Sequence, residues 1–148
     1  MPRLRVTKTF TFDMAHALDG YDGLCRHIHG HTYHLRISLL GEVKNEIGHP
    51  KNGFVMDFKE LKELIRSNVL DVFDHSLVLY EMSSFLENKN YCFSDDRVIL
   101  TPFQPTCENL LLHFVSIIKN CLPHQVELVS VRLDETPTSY AEWLKSDQ

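Results

Sequence analysis

The chain has 148 residues, 43% of them hydrophobic, a length and composition that suit one soluble globular domain (1–148) with a sizeable core. A net charge of −5, with Lys and Arg scattered rather than gathered into a stripe, excludes a nucleic-acid-binding surface; an anionic small molecule remains compatible with a locally basic pocket. No apolar run reaches membrane-spanning length.

The opening Met-Pro-Arg-Leu-Arg leads into a strand pattern without an apolar leader, and a cytoplasmic protein is expected. Cys25, Cys92, Cys107 and Cys121 lie far apart with no C-x-x-C pairing, which predicts free thiols in a reducing compartment.

Alternation through Leu4 to His16 predicts a first strand, with Phe10, Phe12, Met14 and His16 on one face. A turn-rich loop, Asp19-Gly20-Tyr21-Asp22-Gly23, carries the chain toward Cys25. His31 to Val43 reads as a second strand; His31, Tyr33, Leu35, Ile37 and Leu39 share one face and His34, Arg36 and Ser38 take the other. Asp57-Phe58-Lys59-Glu60 resembles an N-cap with a capping-box glutamate, and Phe58, Leu61, Ile65, Val69 and Val72 recur at helical spacing. Tyr80 to Gln104 is the least regular stretch, with Arg97 to Leu100 as a candidate small strand. Pro105-Thr106 opens a second helix with a stripe of Leu110, Phe114, Ile117, Ile118 and Cys121, and Pro123 ends it. Gln125 to Glu135 and Tyr140 to Leu144 complete the pattern as a third and a short fourth strand. The order predicts an α+β domain: a mostly antiparallel sheet with two helices on one face.

Chemistry concentrates in Cys25-Arg26-His27-Ile28-His29-Gly30-His31. An H-x-H pair on extended backbone projects both imidazoles to the same side, and His16 from the first strand can supply a third. Three histidines with no evident fourth ligand match a zinc that keeps one position open for water or substrate. A closed structural site with Cys25 or His27 as the fourth ligand is the competing arrangement. Gly30 lets another backbone approach closely. His34, His49, His113 and His124 stand outside any such pattern and read as ordinary surface or hydrogen-bonded histidines.

Three further features bear on chemistry. Asp74-His75 follows the first helix, where either side chain could relay a proton and where a histidine also suits the helix dipole. Glu135 continues a row formed by Val129, Val131 and Leu133, so its carboxylate is expected to face a pocket. Thr106 and Glu108 sit where capping and the first-turn dipole account for them as well as ligand binding does.

Taken in order, Phe12-x-x-Ala15-His16, Cys25-x-x-x-His29-Gly30-His31, Gly53-x-Val55-x-Asp57-Phe58-x-x-Leu61-Lys62, Leu70-x-x-x-Asp74-His75, Pro105-Thr106-x-Glu108-Asn109 and Glu135-Thr136 form a set. The set resembles the motifs of the family that joins 6-pyruvoyltetrahydropterin synthases with the queuosine-pathway 6-carboxytetrahydropterin synthases. The resemblance runs from residue 6 to about residue 143.

It implies the tunnelling fold: a four-stranded antiparallel sheet with two helices, assembled into an oligomeric barrel, usually a hexamer, with active sites at subunit interfaces. It implies zinc on His16, His29 and His31, Cys25 as general base, and Asp74 and His75 as its relay. Glu135 would anchor the pterin ring and join the relay, and Thr106, with Glu108 beside it, would line the pterin pocket. The implied substrate is 7,8-dihydroneopterin triphosphate. Three residues between Cys25 and His29 resemble the carboxy enzymes more than the animal-type pyruvoyl enzymes, which carry a longer gap. Elimination to 6-pyruvoyltetrahydropterin is the alternative activity, and a zinc- or pterin-binding protein without turnover is a second. The segment 80–104 is longer than the compact bacterial pattern.

Overall fold

A computed structural model describes residues 2–94 and 97–148. Two long strands dominate it: β1 (Arg3–His16) and β2 (His29–Glu42) pair antiparallel over their whole length, from Arg3↔Glu42 to His16↔His29. β2 pairs with β5 (Val126–Thr136), and β5 with β6 (Ser139–Leu144), both antiparallel. These are the four strands expected from alternation.

Among the described residues the sheet nevertheless has six strands, β3 (Ser76–Tyr80) and β4 (Val98–Thr101) extending it in the order β4-β3-β1-β2-β5-β6. β3 joins β1 in parallel at Met14↔Ser76 to His16↔Val78, and β4 joins β3 in parallel. The expectation of a four-stranded antiparallel sheet is therefore corrected to a six-stranded mixed one. β4 corresponds to the candidate strand at Arg97 to Leu100; β3 carries no strand signature of its own, because a short, largely buried parallel strand is a plain apolar run, Ser-Leu-Val-Leu-Tyr, without alternation.

The helices cover one face. Asp57 caps α1 (Phe58–Ile65) by accepting the Lys59 N–H at 2.8 Å. Glu60 turns instead to Lys51, at 3.0 Å, so the other half of a capping box is replaced by an ion pair. The helix runs on through a π-turn (Arg66–Leu70) into α2 (Asp71–Phe73). Its buried row is Leu61, Ile65, Val69 and Phe73; Phe58 and Val72 are exposed. Residues four apart drift about 40° around a regular α-helix. The wider π-turn takes up that drift, which moves the apolar row from Val72 to Phe73.

α3 (Cys107–Cys121) buries Cys107, Leu110, Leu111, Phe114, Val115 and Ile118. Tyr33 stacks on Phe12 at 5.3 Å, Phe12 meets Phe114 at 6.1 Å, and Phe114 meets Phe73 at 5.0 Å. This aromatic chain crosses the core from sheet to helices. Phe114→Ala should cost about 3–5 kcal/mol of stability, readable by denaturant unfolding.

On β5 the register slips between Ser38↔Ser130 and Leu39↔Leu128, leaving Val129 as the extra residue of a bulge. The buried row is Val126, Leu128, Val131 and Leu133, and Val129 turns to the open face beside Arg5 and Ser38. The expected row of Val129, Val131 and Leu133 thus loses its first member, while Glu135 keeps its place at the end. No described helix is long and apolar enough to cross a membrane.

Candidate functional site: a histidine cluster at the end of the sheet

His16 and His29 are cross-strand partners, and His31 sits opposite Met14, so one end of the β1–β2 ladder carries all three imidazoles. Their ring centroids are 4.6, 4.9 and 5.3 Å apart. Between them, a Cβ on Gly30 would lie 3.3 Å from the Met14 carbonyl oxygen, a contact tight enough to favour glycine there. Ligand-capable atoms of His16, His29, His31 and Glu135 all fall within 4.8 Å of one another.

The protonation pattern is set by neighbouring carbonyls. His16 donates Nδ1–H to the Pro105 carbonyl at 2.7 Å, and His29 donates Nδ1–H to the His27 carbonyl at 2.7 Å. A carbonyl can only accept, so in the neutral ring each Nε2 keeps a lone pair. The Nε2 atoms of His29 and His31 are buried with no hydrogen-bond partner among the described residues. Burial holds His16 and His31 below the ordinary imidazole range, against the pull of the Glu135 carboxylate, so both rings are neutral near pH 7. Buried, unpartnered imidazole lone pairs converging with a carboxylate fit a divalent metal ion.

Glu135 lies in a second irregularity of β5, between the Asp134↔Tyr140 and Thr136↔Ser139 pairs. Its Oε1 comes within 3.2 Å of His31 Nε2, without the alignment a hydrogen bond needs. The fourth group at the cluster is therefore this carboxylate. Cys25 and His27 are not members of it. His27 instead accepts from Arg26 Nε at 3.3 Å through its ring and supports His29 through its carbonyl.

Cys25 lies half-buried in the 3₁₀ turn Leu24–Arg26, which Leu18 ties down by donating its N–H to the Cys25 carbonyl at 3.0 Å. Cys107 is a different kind of thiol: burial and the Glu135 charge push it up to about 12, so it stays protonated and donates to the Leu133 carbonyl.

Asp74 and His75 form a separate group. His75 Nδ1 lies 2.9 Å from Asp74 Oδ1, and the imidazole is 75% exposed. His75 adopts φ +59°, a left-handed conformation that costs a side-chain-bearing residue on the order of 1–3 kcal/mol. It turns the chain from α2 into β3. A cleft lined by Gly30, His31, His75, Phe93 and Arg97 borders both groups. Thr106 is the N-cap of α3, accepting the Asn109 N–H at 3.2 Å, and Glu108 is exposed in its first turn.

The model of the 6-pyruvoyl tetrahydropterin synthase family matches residues 5–145. The chain belongs to that family. It is similar to the 6-carboxy-5,6,7,8-tetrahydropterin synthase of Haemophilus influenzae, 33% identical over 142 residues that span 94% of this chain and 97% of that one. The Rickettsia bellii enzyme of the same name is 29% identical over 141 residues, 94% of this chain and 99% of its own. Among solved structures, the 6-pyruvoyl tetrahydropterin synthase of Caenorhabditis elegans superposes with a TM-score of 0.68 at 25% identity, covering 97% of this chain and 96% of that one. An uncharacterized Wolinella succinogenes protein shares the fold with a TM-score of 0.76 at 19% identity, over 98% and 99% of the two chains.

Two features of this family member were beyond sequence reasoning. The Pro105 carbonyl that orients His16 is a backbone group, which no residue type announces. Tyr33, fully buried, places its hydroxyl 3.5 Å from His16 Nε2, and burial raises its phenol well above the ordinary range. In the sequence it reads only as one more apolar-face residue of a strand.

Proposed function

We propose that the protein is a zinc-dependent lyase that converts 7,8-dihydroneopterin triphosphate to 6-carboxy-5,6,7,8-tetrahydropterin, with loss of acetaldehyde and triphosphate, in queuosine biosynthesis. The observation that carries this reading is the convergence of the three histidines at one end of the sheet, in a chain similar over almost its whole length to the Haemophilus influenzae 6-carboxy-5,6,7,8-tetrahydropterin synthase.

In this reading His16, His29 and His31 hold the ion through Nε2, the tautomers of His16 and His29 following from the carbonyls that their Nδ1–H groups bind. The zinc, when bound, acts as a Lewis acid on the side-chain hydroxyls of the substrate. Cys25 removes a proton from the substrate side chain as general base. Asp74, its Oδ1 2.9 Å from His75 Nδ1, pairs with the imidazole, which carries that proton between the thiol and solvent. Glu135 accepts two hydrogen bonds from the N–H and NH2 edge of the pterin, and Thr106 and Glu108 border the ring.

The exposed imidazole of His75 is not joined to Cys25 by any contact among the described residues, so the reading has it serve the site of a neighbouring subunit. The protein then works as a homo-oligomer, a hexamer, with interfacial active sites, in the cytoplasm. A thiol base and a relay are of no use to a protein that only binds pterin, which argues against a purely binding role. The likeness to the Caenorhabditis elegans structure favours a second reading, elimination to 6-pyruvoyltetrahydropterin.

Incubating the zinc-loaded protein with dihydroneopterin triphosphate and identifying products by mass separates the readings. Acetaldehyde and the 6-carboxy product support the first, the 6-pyruvoyl product the second, and unconverted substrate sinks both.

A further inference from the structure

Asp13 of β1 makes two hydrogen bonds to the turn that carries Asp74 and His75. Its backbone N–H donates to Asp74 Oδ1 at 3.0 Å, and its carbonyl accepts the His75 N–H at 2.7 Å. Its own carboxylate is fixed in turn: Thr32, the residue opposite it on β2, donates Oγ1–H to Asp13 Oδ1 at 2.6 Å. A carboxylate oxygen of Asp13, one of Asp74 and a ring nitrogen of His75 all lie within 4.8 Å of one another.

The arrangement has a consistent physical logic. Phe12 and Met14 take the core face of β1, so Asp13 projects to the open face, where Thr32 is its neighbour. Asp74 Oδ1 accepts the Asp13 N–H and lies 2.9 Å from His75 Nδ1, which holds the carboxylate beside the ring. His75 stands in a left-handed conformation in which glycine would be unstrained. Such a conformation persists only where the surroundings over-determine it, and here the hydrogen bond to the Asp13 carbonyl does so.

We propose that Asp13 is a positioning residue for the Asp74–His75 pair: its backbone N–H and carbonyl hold the turn, and its carboxylate, pinned by Thr32 and within 4.8 Å of the His75 ring nitrogen, keeps the imidazole in the direction that proton transfer requires. The inference rests on the role given to that pair under the proposed function. It adds Asp13 and Thr32 to the residues on which turnover depends.

The test compares Asp13→Ala, Thr32→Val and Thr32→Ser in the full-length, zinc-loaded protein, with His75→Ala as the control. Asp13→Ala and Thr32→Val should each lower kcat about 10-fold, because small misplacements of a reacting group are costly, with KM, zinc content and melting temperature close to the unaltered protein. Thr32→Ser, which restores the hydroxyl, should recover kcat. Unchanged kcat in both variants, or a fall that tracks KM and melting temperature, overturns the inference. So does a second bound metal ion that Asp13→Ala removes, since Asp13 would then be a ligand. If His75→Ala retains full kcat, the relay role itself fails and the inference falls with it. If His75→Ala is slow while Asp13→Ala is normal, only the inference falls.

Discussion

His16, the last residue of β1, donates its Nδ1–H to the carbonyl of Pro105, 2.7 Å away, at the entrance to α3. The bond joins two elements 89 residues apart and leaves the His16 Nε2 lone pair facing His29 and His31. The candidate metal site is thereby coupled to the packing of α3 on the sheet.

From that coupling follows an effect of metal on stability. Metal analysis should find one zinc per chain, and chelation should lower the melting temperature, because the ion binds the folded protein alone. At free zinc 100-fold above its dissociation constant the stabilisation is about 2.7 kcal/mol. His29→Ala should lose the ion without losing the sheet. An unchanged melting temperature after complete metal removal, or full zinc content in His29→Ala, would contradict the site.

Cys25→Ala should keep zinc and oligomeric state while turnover falls about 10²–10⁴-fold, the usual effect of removing a general base. Zinc content and single-turnover rates are the measurements. Loss of one zinc per chain on substitution would make Cys25 a ligand instead.

Glu135→Gln replaces one acceptor oxygen with an NH2 donor and removes the charge. Pterin affinity should drop by about 10- to 150-fold, the equivalent of roughly 1.5–3 kcal/mol for a charge-assisted hydrogen bond. Because Oε1 also lies 3.2 Å from His31 Nε2, zinc content should be recorded alongside. Titrating a pterin analogue against both proteins decides the matter: equal affinity with a large fall in melting temperature assigns Glu135 to stability rather than recognition.

Asp57 links stability to acid. Its carboxyl is held below the ordinary carboxylate range, first by the Lys51 ammonium and then by the Lys59 N–H that it caps. A depressed folded-state pKa stabilises the fold above the unfolded-state value, near 4, and that contribution is lost as pH falls through the lower folded-state value. Asp57→Asn, which keeps a capping oxygen, should therefore melt below the unaltered protein at pH 7, and the gap should close toward pH 3. A gap of equal size at both pH values would assign the effect to something other than this charge.

Much of this protein can be read from its residues alone, because period-two alternation and helix caps are local. β1, β2, β5, β6 and the start of α1 are legible that way, and so is the histidine set, since an H-x-H pair on a strand must share a face. What needed the folded chain depends on contacts between distant segments. The π-turn moves the buried row of the first helical segment from Val72 to Phe73, and the bulge at Val129 shifts the parity of β5; both answer to packing against partners that no local window contains. β3 exists because the end of β1 offers it hydrogen-bonding groups. The second support of each site is likewise tertiary: the Pro105 carbonyl behind His16, and the Asp13 backbone behind Asp74 and His75. Side-chain identity chooses the chemistry, whereas backbone groups brought together only by the fold determine which way that chemistry points.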